Sequence, residues 1–263
     1  MSLTVIKIGG HALDSSQDAE ILLDSMAEDV LELLAAGQKI VLVHGGGPQI
    51  NEILALTGVV SSFVNGLRVT DAATLRAVVM GLSQVNATLC AALGVRGVRA
   101  VGCNGTTDRL IQATVSKGSL GFVGGDITAN TEFLTNQLDA GLCPVVAPFG
   151  VDSTGQLLNC NADAAAGAIA GALGASSLVL LSDIDQVRMN PTDASSGIAR
   201  MNAAEAEGLI ASGAAKEGMV PKIDSALVAL RHGASKVVIA NGSRPHAIRD
   251  VLNQSVLQTE VVA

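Results

Sequence analysis

Short apolar runs rich in β-branched residues recur along the chain at Thr4–Ile8, Lys39–Val43, Val98–Gly102, Pro144–Ala147, Leu178–Leu181 and Lys236–Ala240. Gly, Pro or polar residues bound each run, the pattern of strands buried on both faces. Helical periodicity fills the intervals. From Asp18 to Ala36, apolar residues recur at Ile21, Leu22, Met26, Val30, Leu33 and Leu34, acidic residues gather early, and Gly37 marks the stop. Asp71–Leu93, Thr128–Ala140, Ala162–Leu173, Asn202–Ala211 and Pro221–Arg231 read the same way, and a further helix starts at Pro48. Strands alternating with helices predict an α/β fold, an open and mainly parallel sheet sandwiched by helices, because right-handed crossovers place the helices on both faces. Two segments break the alternation. Val59–Thr70 carries Asn65-Gly66 between apolar runs and Phe149–Leu158 carries Asp152-Ser153-Thr154-Gly155, both hairpin signals.

A chain of 263 residues suits two lobes. No repeat or polar linker divides it, so the boundary is expected to be a tight hinge near Gly174, giving lobes 1–174 and 175–263. Hydrophobic residues at 49% against 15% charged exclude disorder, since the apolar surface suffices to offset chain entropy. With no Trp or Tyr and only 4 Phe, few aromatic faces exist for stacking bases or sugars. A net charge of −8 argues against neutralising many phosphates, so nucleic acid is excluded as a partner. Uncharged apolar stretches fall short of the roughly 20 residues that cross a bilayer, and Met1–Thr4 lacks the start of a secretory signal; no membrane and a cytoplasmic location are expected. Cys90, Cys103, Cys143 and Cys160 are scattered without metal spacing and read as small buried hydrophobes rather than disulfide or zinc ligands.

Three turns that follow predicted strands are candidates for chemistry: Lys7-Ile8-Gly9-Gly10, His44-Gly45-Gly46-Gly47 and Leu181-Ser182-Asp183-Ile184-Asp185. At the carboxyl ends of parallel strands such turns face ligands, and the helix from Pro48 would aim its positive end at an anion. A single glycine pair would more simply permit a tight turn; two such turns favour an anion cradle. No Gly-Lys dipeptide occurs, which excludes a Walker A loop, and Gly45-x-Gly47-x-x-Ile50 lacks the third glycine of a dinucleotide fingerprint. Lys7 sits inside an apolar strand, where an unpaired ammonium is costly, so it needs an anion, either a ligand or a structural partner such as Asp163. Lys222 opens a helix against the dipole and likewise calls for a compensating anion. His44, His232 and His246 show neither triad nor metal spacing.

Lys7-Ile-Gly-Gly10, His44-Gly-Gly-Gly-Pro48, Asn65-Gly-Leu-Arg-Val-Thr-Asp71, Leu158-Asn-Cys-Asn-Ala-Asp163, Leu181-Ser-Asp-Ile-Asp185 and Glu217-Gly-Met-Val-Pro-Lys222 follow in this order across essentially the whole chain. Together they resemble the amino acid kinase superfamily, and within it the N-acetylglutamate kinases. The resemblance implies ATP-dependent phosphorylation of the side-chain carboxylate of an N-acylated glutamate, with Mg²⁺ carried by the nucleotide and no protein metal site. It implies that Lys7 and Lys222 flank the transferring phosphoryl group while Asp163 holds both lysines. Gly46, Gly47, Arg68, Asn159 and, on the same turn, Asn161 would meet the acceptor, Arg68 pairing with a carboxylate through its planar fork. ATP would lie against Gly9, Gly10 and Gly45, the run Asp183, Ile184, Asp185, Gln186, Val187 and Arg188, and Ala214, Ala215, Lys216 and Met219. Similar enzymes usually carry Gly where this chain has Gln186, a change that matters if the turn requires φ > 0. His11 stands where a small or amide side chain is common and reads as a packed histidine.

Three alternatives stay open at this point: a kinase for N-succinylglutamate, one for glutamate or aminoadipate on an acidic carrier protein, and an inactive ligand-binding module of the same fold. The negative charge disfavours an acidic carrier. Retention of Lys7, Asp163 and Lys222 together disfavours an inactive module. Relatives pair through the substrate lobe, so a homodimer is expected. Arginine-inhibited members of the family carry an N-terminal helix that links dimers into a ring; with the first strand beginning by Thr4, that helix is not expected here, and the resemblance then implies activity insensitive to arginine.

Overall fold

The computed structural model of the protein describes residues 2–9, 17–190, 192–215 and 219–263. Its strands, in chain order, are β1 (Leu3–Ile8), β2 (Lys39–His44), β3 (Phe63–Val64), β4 (Leu67–Arg68), β5 (Ala100–Asn104), β6 (Ile111–Val115), β7 (Gly124–Ala129), β8 (Cys143–Ala147), β9 (Phe149–Val151), β10 (Leu157–Asn159), β11 (Ser177–Ser182), β12 (Arg200–Asn202), β13 (Lys236–Asn241) and β14 (Gln258–Val262). The helices are α1 (Gln17–Ala35), α2 (Gly47–Leu56), α3 (Ala72–Val95), α4 (Glu132–Asp139), α5 (Ala162–Ala172), α6 (Ala203–Ala211), α7 (Val220–Arg231) and α8 (Ala247–Leu252).

Eight strands form one sheet in the order β12-β14-β13-β11-β1-β2-β8-β5. The chain begins at its centre: β1 pairs in parallel with β11 through Thr4↔Ser177 and with β2 through Thr4↔Ile40. Pairing is parallel from β13 to β5, and β14 returns antiparallel to β13. The period of two sorts each strand's side chains onto opposite faces. Val5, Val41, Val43, Leu178, Leu180, Val237 and Ile239 pack on α5 and α7, while Ile6, Ile8, Ile40, Leu42, Val179 and Val238 pack on α1, α3 and α8. Buried apolar layers on both faces explain why these strands read as unbroken apolar runs.

Both predicted hairpins are present. Asn65 (φ 50) and Gly66 (φ 77) turn β3 into β4 with both central residues left-handed, as the Asn-Gly pair favours. Gly155 (φ 88) closes the β9/β10 turn, with Asp152 Oδ1 accepting from the Thr154 and Gln156 N–H groups. These strands belong to a four-stranded sheet, β10-β9-β6-β7, whose second hairpin the chain pattern does not signal.

Several boundaries differ from the sequence reading. The helix expected over Thr128–Ala140 begins at Glu132, because Thr128 and Ala129 pair antiparallel with Gln112 and Ile111 in β6. β5 lies two residues later than Val98–Gly102, where it meets β8. β12, β14 and α8 have no counterpart in the reading. α3, at 24 residues, is long and apolar enough to cross a membrane, which corrects the length expectation; Leu75, Val78, Leu82, Val85, Leu89 and Leu93 are buried, as in a core helix.

Candidate active site

β1, β2 and β11 lie side by side at the centre of the sheet, where the crossovers diverge to either side, and their carboxyl ends open on a common crevice. Lys7 is the penultimate residue of β1 and shares the face of Val5, so its side chain points toward α5 and α7 rather than α1. Asp163 sits in the first turn of α5, where the helix dipole favours a carboxylate, and Asn161 caps that turn by accepting from the Ala164 N–H at 3.0 Å. Lys222 sits in the first turn of α7, where the dipole opposes a cation. Asp163 compensates both lysines. Lys222 Nζ donates to Oδ2 at 3.2 Å, and Lys7 Nζ stands 2.8 Å from Oδ1 as an ion pair off the hydrogen-bonding direction.

Lys7 and Asp163 are buried. Burial pushes the Asp163 carboxyl up, but the charges of Lys7 and Lys222 outweigh it and hold the group below the usual carboxylate value. Two ammonium groups sharing one carboxylate leave an excess positive charge at the head of the sheet.

Close packing of α5 on α7 makes this meeting possible. A Cβ on Gly167 would come within 2.7 Å of Ser225 O, and one on Gly171 would collide with His232 Cβ. The small residues of α5 therefore set how near α7, and Lys222 with it, approaches the sheet.

The glycine turn after β2 is equally constrained. Gly46 is the residue before α2, and a Cβ there would meet Leu82 Cδ2 at 2.9 Å. The Gly45 N–H is committed to Ile8 O at 2.9 Å, whereas Gly46 N–H has no backbone or side-chain acceptor among the described residues. Behind the turn His44 is fully buried; its Nδ1 bonds Gly45 O at 2.7 Å and its Nε2 accepts from Asn86 Nδ2 at 3.1 Å. Desolvation lowers the imidazole pKa to about 4, so this pattern belongs to a neutral ring with its proton on Nδ1.

Arg68 ends β4 and is buried, with Cζ 4.6 Å above the Phe63 ring and Nη1 donating to Ser61 Oγ. No carboxylate lies within ion-pairing distance of it among the described residues. Burial lowers its pKa, yet a guanidinium keeps its charge, so a desolvated cation without an acidic partner marks an anion site. Asn159 ends β10, donating its N–H to Phe122 O at 2.9 Å and Nδ2 to Thr70 Oγ1 at 3.0 Å. The Gly47 Cβ direction is open.

Beyond β11, Ser182 Oγ donates to Asp183 Oδ1 at 2.8 Å. Asp185 accepts from Asn241 at 3.1 Å and pairs with Arg244 at 2.5 Å. Gln186 Nε2 donates to Gln258 O and the Val187 N–H to Thr259 Oγ1, tying this loop to β14. Gln186 is not among the residues of positive φ, so its side chain stands there without strain. Arg188 bridges Gly197. Ile184, Val187, Ala214, Ala215 and Met219 converge on one core cluster. Gly9 follows β1 directly; Gly10, His11 and Lys216 lie outside the described residues. No group of three or more His, Cys, Asp or Glu that could hold a metal ion occurs among the described residues.

A family model described as the amino acid kinase family matches residues 2–241. The chain belongs to this family. An acetylglutamate kinase from Ruegeria sp. (strain TM1040) is 39% identical over 248 residues, covering 94% of this chain and 84% of its own. An acetylglutamate kinase from Archaeoglobus fulgidus is 40% identical over 256 residues, covering 93% and 87% respectively. Among solved structures, N-acetylglutamate synthase from Neisseria gonorrhoeae, complexed with coenzyme A and N-acetyl-glutamate, has a TM-score of 0.82 at 27% identity over 100% of this chain, which spans 59% of that one.

Within this family member, sequence reasoning missed Ser61, Phe63 and Thr70, which touch Arg68 or Asn159, and Asn86, which bonds His44 behind the glycine turn. Thr70 lies inside the motif around Arg68, and that position was the available signal. Asn86 sits mid-helix, and nothing in the local pattern separates it from a solvated amide.

Proposed function

We propose that the chain phosphorylates the side-chain carboxylate of N-acetyl-L-glutamate with ATP, giving ADP and an acyl phosphate on the route to arginine. The meeting of Lys7 and Lys222 on the buried Asp163 carboxylate at the head of the sheet carries this reading, and relatives about 40% identical over most of the chain support it. In the transfer, the bond from the γ-phosphorus to the β,γ-bridging oxygen breaks and one to a carboxylate oxygen forms, with no proton to relay. Charge neutralisation and alignment therefore dominate catalysis. Lys7 and Lys222 are placed to share the charge of the equatorial oxygens, and Asp163 holds them without cancelling both. Gly46 and Gly10 amides supply further donors.

Gly46, Gly47, Arg68 and Asn159 form the acceptor side in this reading. The Asn161 Oδ1 accepts from the Ala164 N–H as a helix cap, which fixes the side chain and leaves its Nδ2 free to donate to the acceptor. The nucleotide, with its Mg²⁺, lies against Gly9, Asp183–Arg188, Ala214–Lys216 and Met219. Gly45 contributes through its backbone shape, since its N–H is committed to Ile8. The lobes divide near Gly174, the protein works in the cytoplasm, and exposed Leu56, Val60, Phe63, Val64 and Met80 on the first lobe supply apolar surface for a two-fold dimer.

An uncharged acetyl group suits surroundings of Gly and small apolar residues, whereas succinyl would need an additional cation. A coupled ADP-release assay with N-acetylglutamate, N-succinylglutamate and aspartate tests the reading. Turnover restricted to the first is expected; equal turnover of the second would change the acyl assignment, and none with any would overturn the function.

A further inference from the structure

Thr70 lies in the motif around Arg68 but has no part in the reading above. It is fully buried, and its backbone is bonded on both sides to the segment preceding β7: its N–H donates to Leu120 O at 2.8 Å, and its carbonyl accepts from the Phe122 N–H at 2.7 Å. Gly121 (φ 73) runs so close that a Cβ there would strike Thr70 O. The Thr70 hydroxyl donates to Arg68 O at 2.7 Å and accepts from Asn159 Nδ2 at 3.0 Å.

The direction of this relay is forced. A carbonyl only accepts, so the Thr70 proton is committed to Arg68, and the hydroxyl oxygen can then only accept. Asn159 must therefore turn its NH₂ toward Thr70. Its Oδ1 and one remaining N–H are left for other partners, and no partner for that Oδ1 occurs among the described residues.

We propose that Thr70 is a positioning residue that joins the Arg68 strand to the Asn159 side chain and sets which end of the Asn159 amide meets the acceptor substrate. The inference rests on the assignment of Arg68 and Asn159 to the acceptor side. Valine has the shape of threonine but can neither donate nor accept, so it would release Arg68 O and let the Asn159 amide rotate. Serine keeps both bonds.

Steady-state kinetics of the full chain with N-acetylglutamate and MgATP test this. Thr70→Val is expected to raise the acceptor KM about tenfold, with kcat within about threefold and the ATP KM unchanged, as loss of ground-state positioning predicts. Thr70→Ser should bring the acceptor KM back to within about threefold of wild type. Thr70→Ala gives the same readout if the valine variant does not fold. Arg68→Ala distinguishes the two levels of the argument. An unchanged acceptor KM in the folded Thr70 variants, with a raised KM in Arg68→Ala, overturns the role of Thr70 and leaves the acceptor site standing. An unchanged KM in Arg68→Ala overturns the acceptor assignment itself.

Discussion

A buried ammonium survives in an apolar strand only where a carboxylate meets it, and Asp163 does this for Lys7 and Lys222 at once. Removing either lysine leaves the other paired, so the fold should persist while a donor to the transferring group is lost. Lys7→Ala or Lys222→Ala is expected to lower kcat by roughly 10²–10³ with a smaller effect on acceptor KM, measured at saturating ATP. Unchanged turnover in both variants would remove the mechanism. His44 makes a second residue-scale prediction. Its folded pKa of about 4 lies below the ordinary 6.5, so between these values the unfolded chain binds the proton and the folded chain does not. Stability must then rise with pH across that window, by about 3 kcal/mol for a shift of this size, and reach its full value above it. Thermal melts across the window should show that slope in the wild type and lose it in His44→Asn; an identical slope in both would mean His44 titrates normally.

At the scale of elements, α5 and α7 act as a pair. Apart from Asp163 and Ile169, α5 is built from Ala and Gly, whose small side chains let α7 come close, and the resulting approach sets the gap between Asp163 and Lys222. Gly167→Ala inserts a methyl group against Ser225 O, which is backbone and cannot swing aside. The variant is expected to lose about 1–3 kcal/mol in chemical denaturation, the usual cost of overpacking, and to lower kcat because Lys222 retreats with its helix. Gly208→Ala, on α6 with open space around it, serves as the control and should do neither. The elements also show where local patterning succeeds and fails. The Asn65-Gly66 hairpin was legible because its turn chemistry is carried by two adjacent residues. β7, with Gly124-Gly125-Asp126 in its first half, has no strand propensity of its own and exists because β6 pairs with it. The same pairing takes Thr128 and Ala129 from the helix that their periodicity suggested.

Across the whole molecule, the mainly parallel sheet and the helices packed on it bring together Lys7, Asp163 and Lys222, the proposed phosphoryl side, while Arg68 and Asn159 of the proposed acceptor side come from a hairpin and the smaller sheet. Arg68 and Asn159 come from different sheets and meet through Thr70. The exposed apolar residues of α2, the β3/β4 hairpin and α3 lie on this acceptor half. Light scattering at two protein concentrations is expected to give a dimer mass at both. Met80→Glu, which places a charge on exposed α3, should yield a monomer; a monomeric wild type or a still dimeric variant would point away from this face.

What the sequence by itself determined is what local backbone geometry encodes. Strand and helix periodicity, the glycine turns, the hairpin at Asn65-Gly66 and the anomaly of Lys7 in an apolar strand are all readable within a few residues, because each is a property of one element. Motif order along the chain added the family. The motif resemblance also named Asp163 as the anion that answers Lys7 and Lys222, and the structure pairs them; only the tertiary structure decided that the Gly45 N–H is committed to Ile8 O, that β14 returns antiparallel, and that Thr70 stands between Arg68 and Asn159. Those facts join residues far apart in the chain. Their proximity depends on sheet order and on helix separations set by single methyl groups, and neither leaves a local signature.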